Sequence, residues 1–135
     1  MITRLLVFAL TLSAAPVAAD VWSFNTPSGN IECWVGESQN ASDLTCTIFK
    51  RSATLPGYTK CPASRGLTLF MTHNGAVQAS CEPAGARPSG GQSVADYGVQ
   101  GRFGGFTCDS SRKGLRCQNE RGRGFFLSRA VQSVF

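Results

Sequence analysis

Six cysteines constrain this chain more than any other feature: Cys33, Cys46, Cys61, Cys81, Cys108 and Cys117. An even number of cysteines in a small chain with an export leader reads as a disulfide framework, and such frameworks staple compact, loop-rich folds. The stretch from Arg102 to Arg129 shows how the framework works. Phe106-Thr107-Cys108 reads as a strand and Leu115-Arg116-Cys117 as its return, with Asp109 facing Arg116 and Ser110 facing Leu115. Ser111-Arg112-Lys113-Gly114 is then the connecting loop, with Gly114 free to take a positive φ. Directly opposed cysteines on neighbouring strands lie within bridging distance, so Cys108–Cys117 is expected. Zinc is disfavoured, because these two thiols have neither a neighbouring histidine nor a second close-spaced pair.

The same pattern occurs earlier. Ile31-Glu32-Cys33 and Leu44-Thr45-Cys46 repeat the apolar-x-Cys, loop, Leu-x-Cys arrangement. It fits either a duplicated hairpin or simple convergence of cross-bridged hairpins. Between the two, Leu67, Leu69 and Met71 alternate, Asn74-Gly75 signals a tight turn, and Ala76 to Cys81 is the return. Cys61 precedes the outgoing strand and can reach Cys81. Pairing each cysteine with its sequence neighbour therefore predicts Cys33-Cys46, Cys61-Cys81 and Cys108-Cys117.

Residues 1–19 read as an export leader. Arg4 supplies the positive charge, Leu5 to Leu12 the apolar run and Val17-Ala18-Ala19 the small residues before a cut at Ala19-Asp20. The run is too short and wrongly flanked to span a membrane. The expected product is a periplasmic or secreted single domain, residues 20–135. Fifteen glycines in the chain leave little room for long helices. The expected fold is all-β: a small disulfide-stapled antiparallel β domain, sandwich or partly open barrel, built from hairpins. Leu127, Ala130, Val131 and Val134 fall at helical spacing behind Ser128, which allows one short C-terminal helix. Trp22 and Trp34 are expected in the core. Residues 82–93, EPAGARPSGGQS, read as a flexible connector.

Charge is unevenly distributed. Residues 20–96 carry five basic and six acidic side chains, whereas residues 97–135 carry seven basic and two acidic. Arg112, Lys113, Arg116, Arg121 and Arg123 are the binding candidates that this asymmetry offers, for an anionic cell-envelope polymer or an acidic protein. Their bland alternative is solubility. Strand rise also places Arg112-Lys113 and Arg121/Arg123 at opposite ends of the hairpin, so they need not form one patch. Export argues against nucleic acid, and Phe103, Phe106, Phe125 and Phe126 read as core rather than as base-stacking platforms.

No catalytic residue, metal site or cofactor is predicted. His73 is the only histidine, beside the Asn74-Gly75 turn, where it is expected to face solvent. The chain has no G-x-S-x-G, H-E-x-x-H or CxxC segment. A non-catalytic exported binding module leads. A secreted hydrolase inhibitor presenting Ser111 to Gly114 comes second, and a hydrolase whose site is assembled by the fold third.

Thr26-Pro27-Ser28-Gly29-Asn30-Ile31-x-Cys33, Tyr97-Gly98, Cys108 followed by Gly114-Leu115-x-Cys117-x-Asn119, and Gly124-Phe125-x-Leu127-Ser128-Arg129 together resemble a family of small secreted bacterial proteins of unknown function. The resemblance implies export, cystines and a single β-rich domain, and it carries no activity. Family members often have a histidine before the Gly-Phe pair. Here that position is Arg123.

Overall fold

A computed structural model describes residues 20–135, so the expected export leader over residues 1–19 lies outside the described residues. Two sheets form the molecule. The first contains β1 (Asp20–Asn25), β2 (Ile31–Glu37), β3 (Ser42–Ile48), β4 (Leu67–Thr72), β5 (Gln78–Cys81) and β6 (Ser93–Val94). Its spatial order is β5-β4-β3-β2-β1-β6. The second contains β7 (Gln100–Phe103), β8 (Phe106–Ser111), β9 (Gly114–Gln118), β10 (Gly124–Leu127) and β11 (Gln132–Val134), in order β11-β10-β9-β8-β7. Pairing is antiparallel except for the short β6, which runs parallel to β1. The expected all-β fold, a disulfide-stapled sandwich or partly open barrel, is observed as two sheets around one core.

Strand alternation sorts the side chains. Cys33, Val35, Leu44, Cys46, Leu69 and Met71 point inward from the first sheet and are fully buried. Phe106, Leu115, Cys117, Phe125 and Leu127 meet them from the second, in one continuous cluster. The buried pairs Cys33–Cys46 and Cys108–Cys117 are direct cross-strand partners, each with Cα atoms 4.1 Å apart. Cys61–Cys81 ties the loop before β4 to the end of β5. Each sheet thus contains one cross-bridged hairpin.

Four local expectations differ from the structure. The C-terminal segment is not a helix. Ser128 is not an N-cap: its N–H donates to the Val131 carbonyl (2.8 Å) and its hydroxyl accepts from the Val131 N–H (3.0 Å). That closes a turn which returns the chain as β11 alongside β10, because so short a segment gains more from pairing an open sheet edge than from an isolated helix of about two turns. Trp34 is not a core anchor. With Cys33 and Val35 facing inward, alternation along β2 turns Trp34 outward, where it is 44% exposed. The Asn74-Gly75 turn is wider than two residues, since β4 ends at Thr72 and β5 begins at Gln78. Conversely, the β8–β9 turn is tighter than expected: Ser111 pairs with Gly114, leaving only Arg112 and Lys113 between. Gly114 has φ +150°, and a Cβ there would lie 2.5 Å from the Leu127 carbonyl oxygen, so the turn accepts no larger residue unstrained.

Residues 82–93 cross the outer face of the first sheet, from the end of β5 toward the β1 edge. The Ser89 hydroxyl and N–H donate to the Glu32 carboxylate, as does the Gly90 N–H (3.4 Å). Gly91 N–H donates to Asn25 Oδ1 and Gln92 N–H to the Ser23 hydroxyl. This strap explains why Glu32, on the outward side of β2, is only 2% exposed.

Candidate functional site

Three turns converge at one end of the sandwich. The first is Thr26-Pro27-Ser28-Gly29-Asn30, between β1 and β2. Its Gly29 N–H donates to the Thr26 carbonyl, and Gly29 takes φ +73°, a conformation glycine adopts freely. Asn30 fastens this turn to the chain just beyond β3: Oδ1 accepts from Lys50 N–H (2.8 Å) and Nδ2 donates to the Lys50 carbonyl (3.0 Å). The second is the Arg112-Lys113 turn. The third is Ser128 to Val131, where the Arg129 carbonyl accepts from the Ser52 N–H (2.8 Å).

Between them lies a cleft of about 400 Å³. Arg112, Lys113 and Arg129 line it together with Tyr97, and its polar floor includes Ser28, Asn30 and Ser128. No carboxylate lines it among the described residues. Arg112 is held over Tyr97, its guanidinium carbon 5.3 Å from the ring centre, a cation–π contact that orients an otherwise free side chain. Arg112 is thus oriented, while Lys113 and Arg129 are exposed cations beside hydroxyl and amide groups; guanidinium forks are suited to carboxylate or phosphate.

The five basic candidates are not brought together. Arg112 and Lys113 stand at the cleft. Arg121 and Arg123 lie in the β9–β10 turn, at the other end of β9, about 17 Å away by strand rise. Arg116 projects from the middle of β9 on the outer face, its guanidinium carbon 4.1 Å from the centre of the Phe135 ring. Sequence reasoning left Arg129 and Tyr97 out of the binding set. Their signal was present: both belong to the segments that carried the family resemblance, and those segments meet at this cleft.

At the opposite end, Asn119 builds the β9–β10 turn and joins the sheets. Its Oδ1 accepts from Arg121 and Arg123 N–H groups, and its Nδ2 donates to the Thr72 (3.0 Å) and Gly75 (2.8 Å) carbonyls. Nearby, Glu37, Ser42, His73 and Glu120 share a second polar cleft. His73 is half-buried rather than solvent-facing, with Nδ1 3.3 Å from the Ser42 backbone nitrogen. The Ser42 hydroxyl donates to the Gly104 carbonyl. The imidazole is therefore engaged by backbone, and the hydroxyl beside it is bonded elsewhere, which is not the nucleophile–base pairing of covalent catalysis. No group of three His, Cys, Asp or Glu among the described residues is placed to hold a metal ion.

Arg51 illustrates a cation used structurally. Its guanidinium donates to the carbonyls of Arg65 (3.0 Å), Pro62 (2.8 Å), Cys61 (3.3 Å) and Ala53 (3.2 Å), and to Gln132 Oε1 (3.3 Å). Burial lowers its pKa below the ordinary arginine value.

The three disulfides point to an oxidising compartment, periplasmic or extracellular. No helix among the described residues is long and apolar enough to cross a membrane. No curated protein and no solved structure matches the chain. Residues 4–135 match the Family of unknown function (DUF6636), nearly the whole chain, and the protein belongs to that family.

Proposed function

We propose that this is a non-catalytic exported binding module that holds an anionic cell-envelope polymer in the cleft formed by Arg112, Lys113, Arg129 and Tyr97. The convergence of three cations from two separate turns, with no carboxylate lining the same cleft, carries this reading. A solubility role needs only dispersed charge, and it does not call for a guanidinium held over an aromatic ring. Arg121 and Arg123 contribute to the long-range field but not to the cleft. The inhibitor alternative is weaker, because a two-residue turn between paired Ser111 and Gly114 presents too little extended chain to occupy a hydrolase cleft.

Retention on an immobilised anionic polysaccharide, measured against salt, tests the proposal. The triple variant R112Q/K113Q/R129Q should lose retention and flatten the salt dependence, while R121Q/R123Q keeps most of both. Loss in the second variant with retention in the first would move the site to the other end of the molecule. Equal retention by both variants and the parent would reduce the cleft to solvated surface. All five side chains are exposed, so stability should change by less than about 0.5 kcal/mol per substitution.

A further inference from the structure

We propose that the anionic ligand of the cationic cleft is an acylated one: its charged group meets Arg112, Lys113 and Arg129, and its aliphatic chain enters a separate apolar cavity between the sheets. The inference rests on the cleft reading above and adds the chemical class of the ligand. The cavity, of about 160 Å³, lies between β1 and β6 of the first sheet and β7 and β8 of the second. Ser93 and Val99, both exposed, stand at its rim. Three aromatic rings wall it, with the Phe103 centroid 4.8 Å from that of Trp22 and 5.8 Å from that of Phe24.

Gly101 makes the space. It pairs with the buried Cys108 and faces inward with it, at a strand position that would ordinarily carry a core side chain. Its φ is not positive, so the backbone does not call for glycine there. A Cβ would meet only the Phe103 ring, at 3.3 Å. Glycine inside a strand weakens it, and it often marks a place that a ligand approaches closely. What is left suits hydrocarbon. The Ser110 hydroxyl donates to the Ala95 carbonyl (2.8 Å), and among the described residues no buried side-chain polar atom lacks a partner. An entering water would therefore find no unmet hydrogen bond. An apolar cavity of about 150 Å³ stays dry and admits benzene, so this one takes a chain segment of roughly six carbons.

The cavity adjoins the cationic cleft along every segment that the two share. On β8, Ser110 lines the cavity and Ser111 the cleft; on β9, Leu115 lines the cavity and Gly114 the cleft. In the first sheet Phe24 lines the cavity, and Thr26, just past the end of β1, lines the cleft. Val99 and Tyr97 repeat the step in the segment that leads into β7. All four steps run toward the same end of the sandwich. They span one or two residues, about 3–7 Å by strand rise, which is a few methylenes of an extended chain. An acyl chain seated against the three rings thus continues to a head group beside Arg112, whereas a compact apolar ring would end inside the cavity.

The test titrates sodium octanoate and 1-octanol into the full disulfide-bonded protein carrying Trp34→Phe. Trp22 is then the remaining one of the chain's two tryptophans, and its emission reports on the cavity. Octanoate should give a saturable change and bind about tenfold or more tightly than octanol, as one charge-assisted contact adds. R112Q/K113Q/R129Q should remove that advantage and leave octanol binding intact. Gly101→Leu fills the cavity and should abolish binding of both, with a melting temperature at or above the parent's. Val99→Phe, at the exposed rim, should weaken both as well. Gly101→Leu should keep the parent's retention on an unacylated anionic polysaccharide, so loss of the cavity and loss of the cleft are read separately. No saturable change with octanoate, undiminished binding by folded Gly101→Leu, or equal affinity for octanoate and octanol would overturn the proposal.

Discussion

Asn119 is 5% exposed and uses both ends of its amide, accepting from two backbone N–H groups of its own turn and donating to two carbonyls of the opposite sheet. Asn119→Ala leaves those part-buried groups without partners, and chemical denaturation should show a loss of about 1–2 kcal/mol. Asn119→Asp should also destabilise, because a carboxylate oxygen would then face the Thr72 and Gly75 carbonyls. His73 differs in scale. A solvent-facing turn residue would cost less than about 0.5 kcal/mol on truncation, but the half-buried ring and its contact with the Ser42 backbone raise the expected cost of His73→Ala to about 1 kcal/mol. Turnover assays with ester, peptide, phosphoester and cell-wall substrates should be blank for the parent. A hydrolytic activity that vanishes in folded His73→Ala would sink the non-catalytic proposal.

Among the elements, the strap over residues 82–93 departs most from its composition. Pro, Gly and Ser suggest a free connector, yet its second half is bonded to Glu32, Asn25 and Ser23. Glu32→Ala removes the acceptor for both Ser89 donors and for Gly90. Limited proteolysis should then cut within residues 82–93 markedly faster than in the parent, with β-sheet circular dichroism retained. Equal cutting would mean that the strap is held by its ends alone. The C-terminal segment makes a related point. Its apolar spacing suits a helix, but an unpaired edge of β10 was available, and backbone pairing with that edge outweighed a local preference too short to nucleate alone.

For the molecule as a whole, three covalent loops supplement a single core shared by two sheets. Non-reducing peptide mapping of the folded protein should find only Cys33–Cys46, Cys61–Cys81 and Cys108–Cys117, and no free thiol. Each bridge closes a short loop and should contribute about 2–3 kcal/mol by chain entropy. Replacing Cys33 and Cys46 together by alanine should therefore lower the stability by about that amount or more, since both are fully buried and truncation also leaves a cavity. The charge asymmetry resolves spatially as well. The cationic cleft occupies one end of the sandwich, whereas Asp43 and Glu82 line clefts on the outer face of the first sheet.

What the sequence determined by itself was local. Cysteine spacing and period-two alternation specify which strands pair and which thiols oppose, because a hairpin brings near neighbours together with little choice of register. The same alternation, followed through Cys33 and Val35, would have placed Trp34 outside. The tertiary structure alone decided which turns share an end. Thr26 to Asn30, Arg112-Lys113 and Ser128 to Arg129 are far apart in the chain, and only the stacking of two sheets sets them around one cleft. It likewise separated Arg121 and Arg123 from Arg112 and Lys113, buried Glu32 beneath a strap, and seated Asn119 against carbonyls of the other sheet. Those outcomes depend on packing between faces, where the partners lie tens of residues away and no local pattern encodes them.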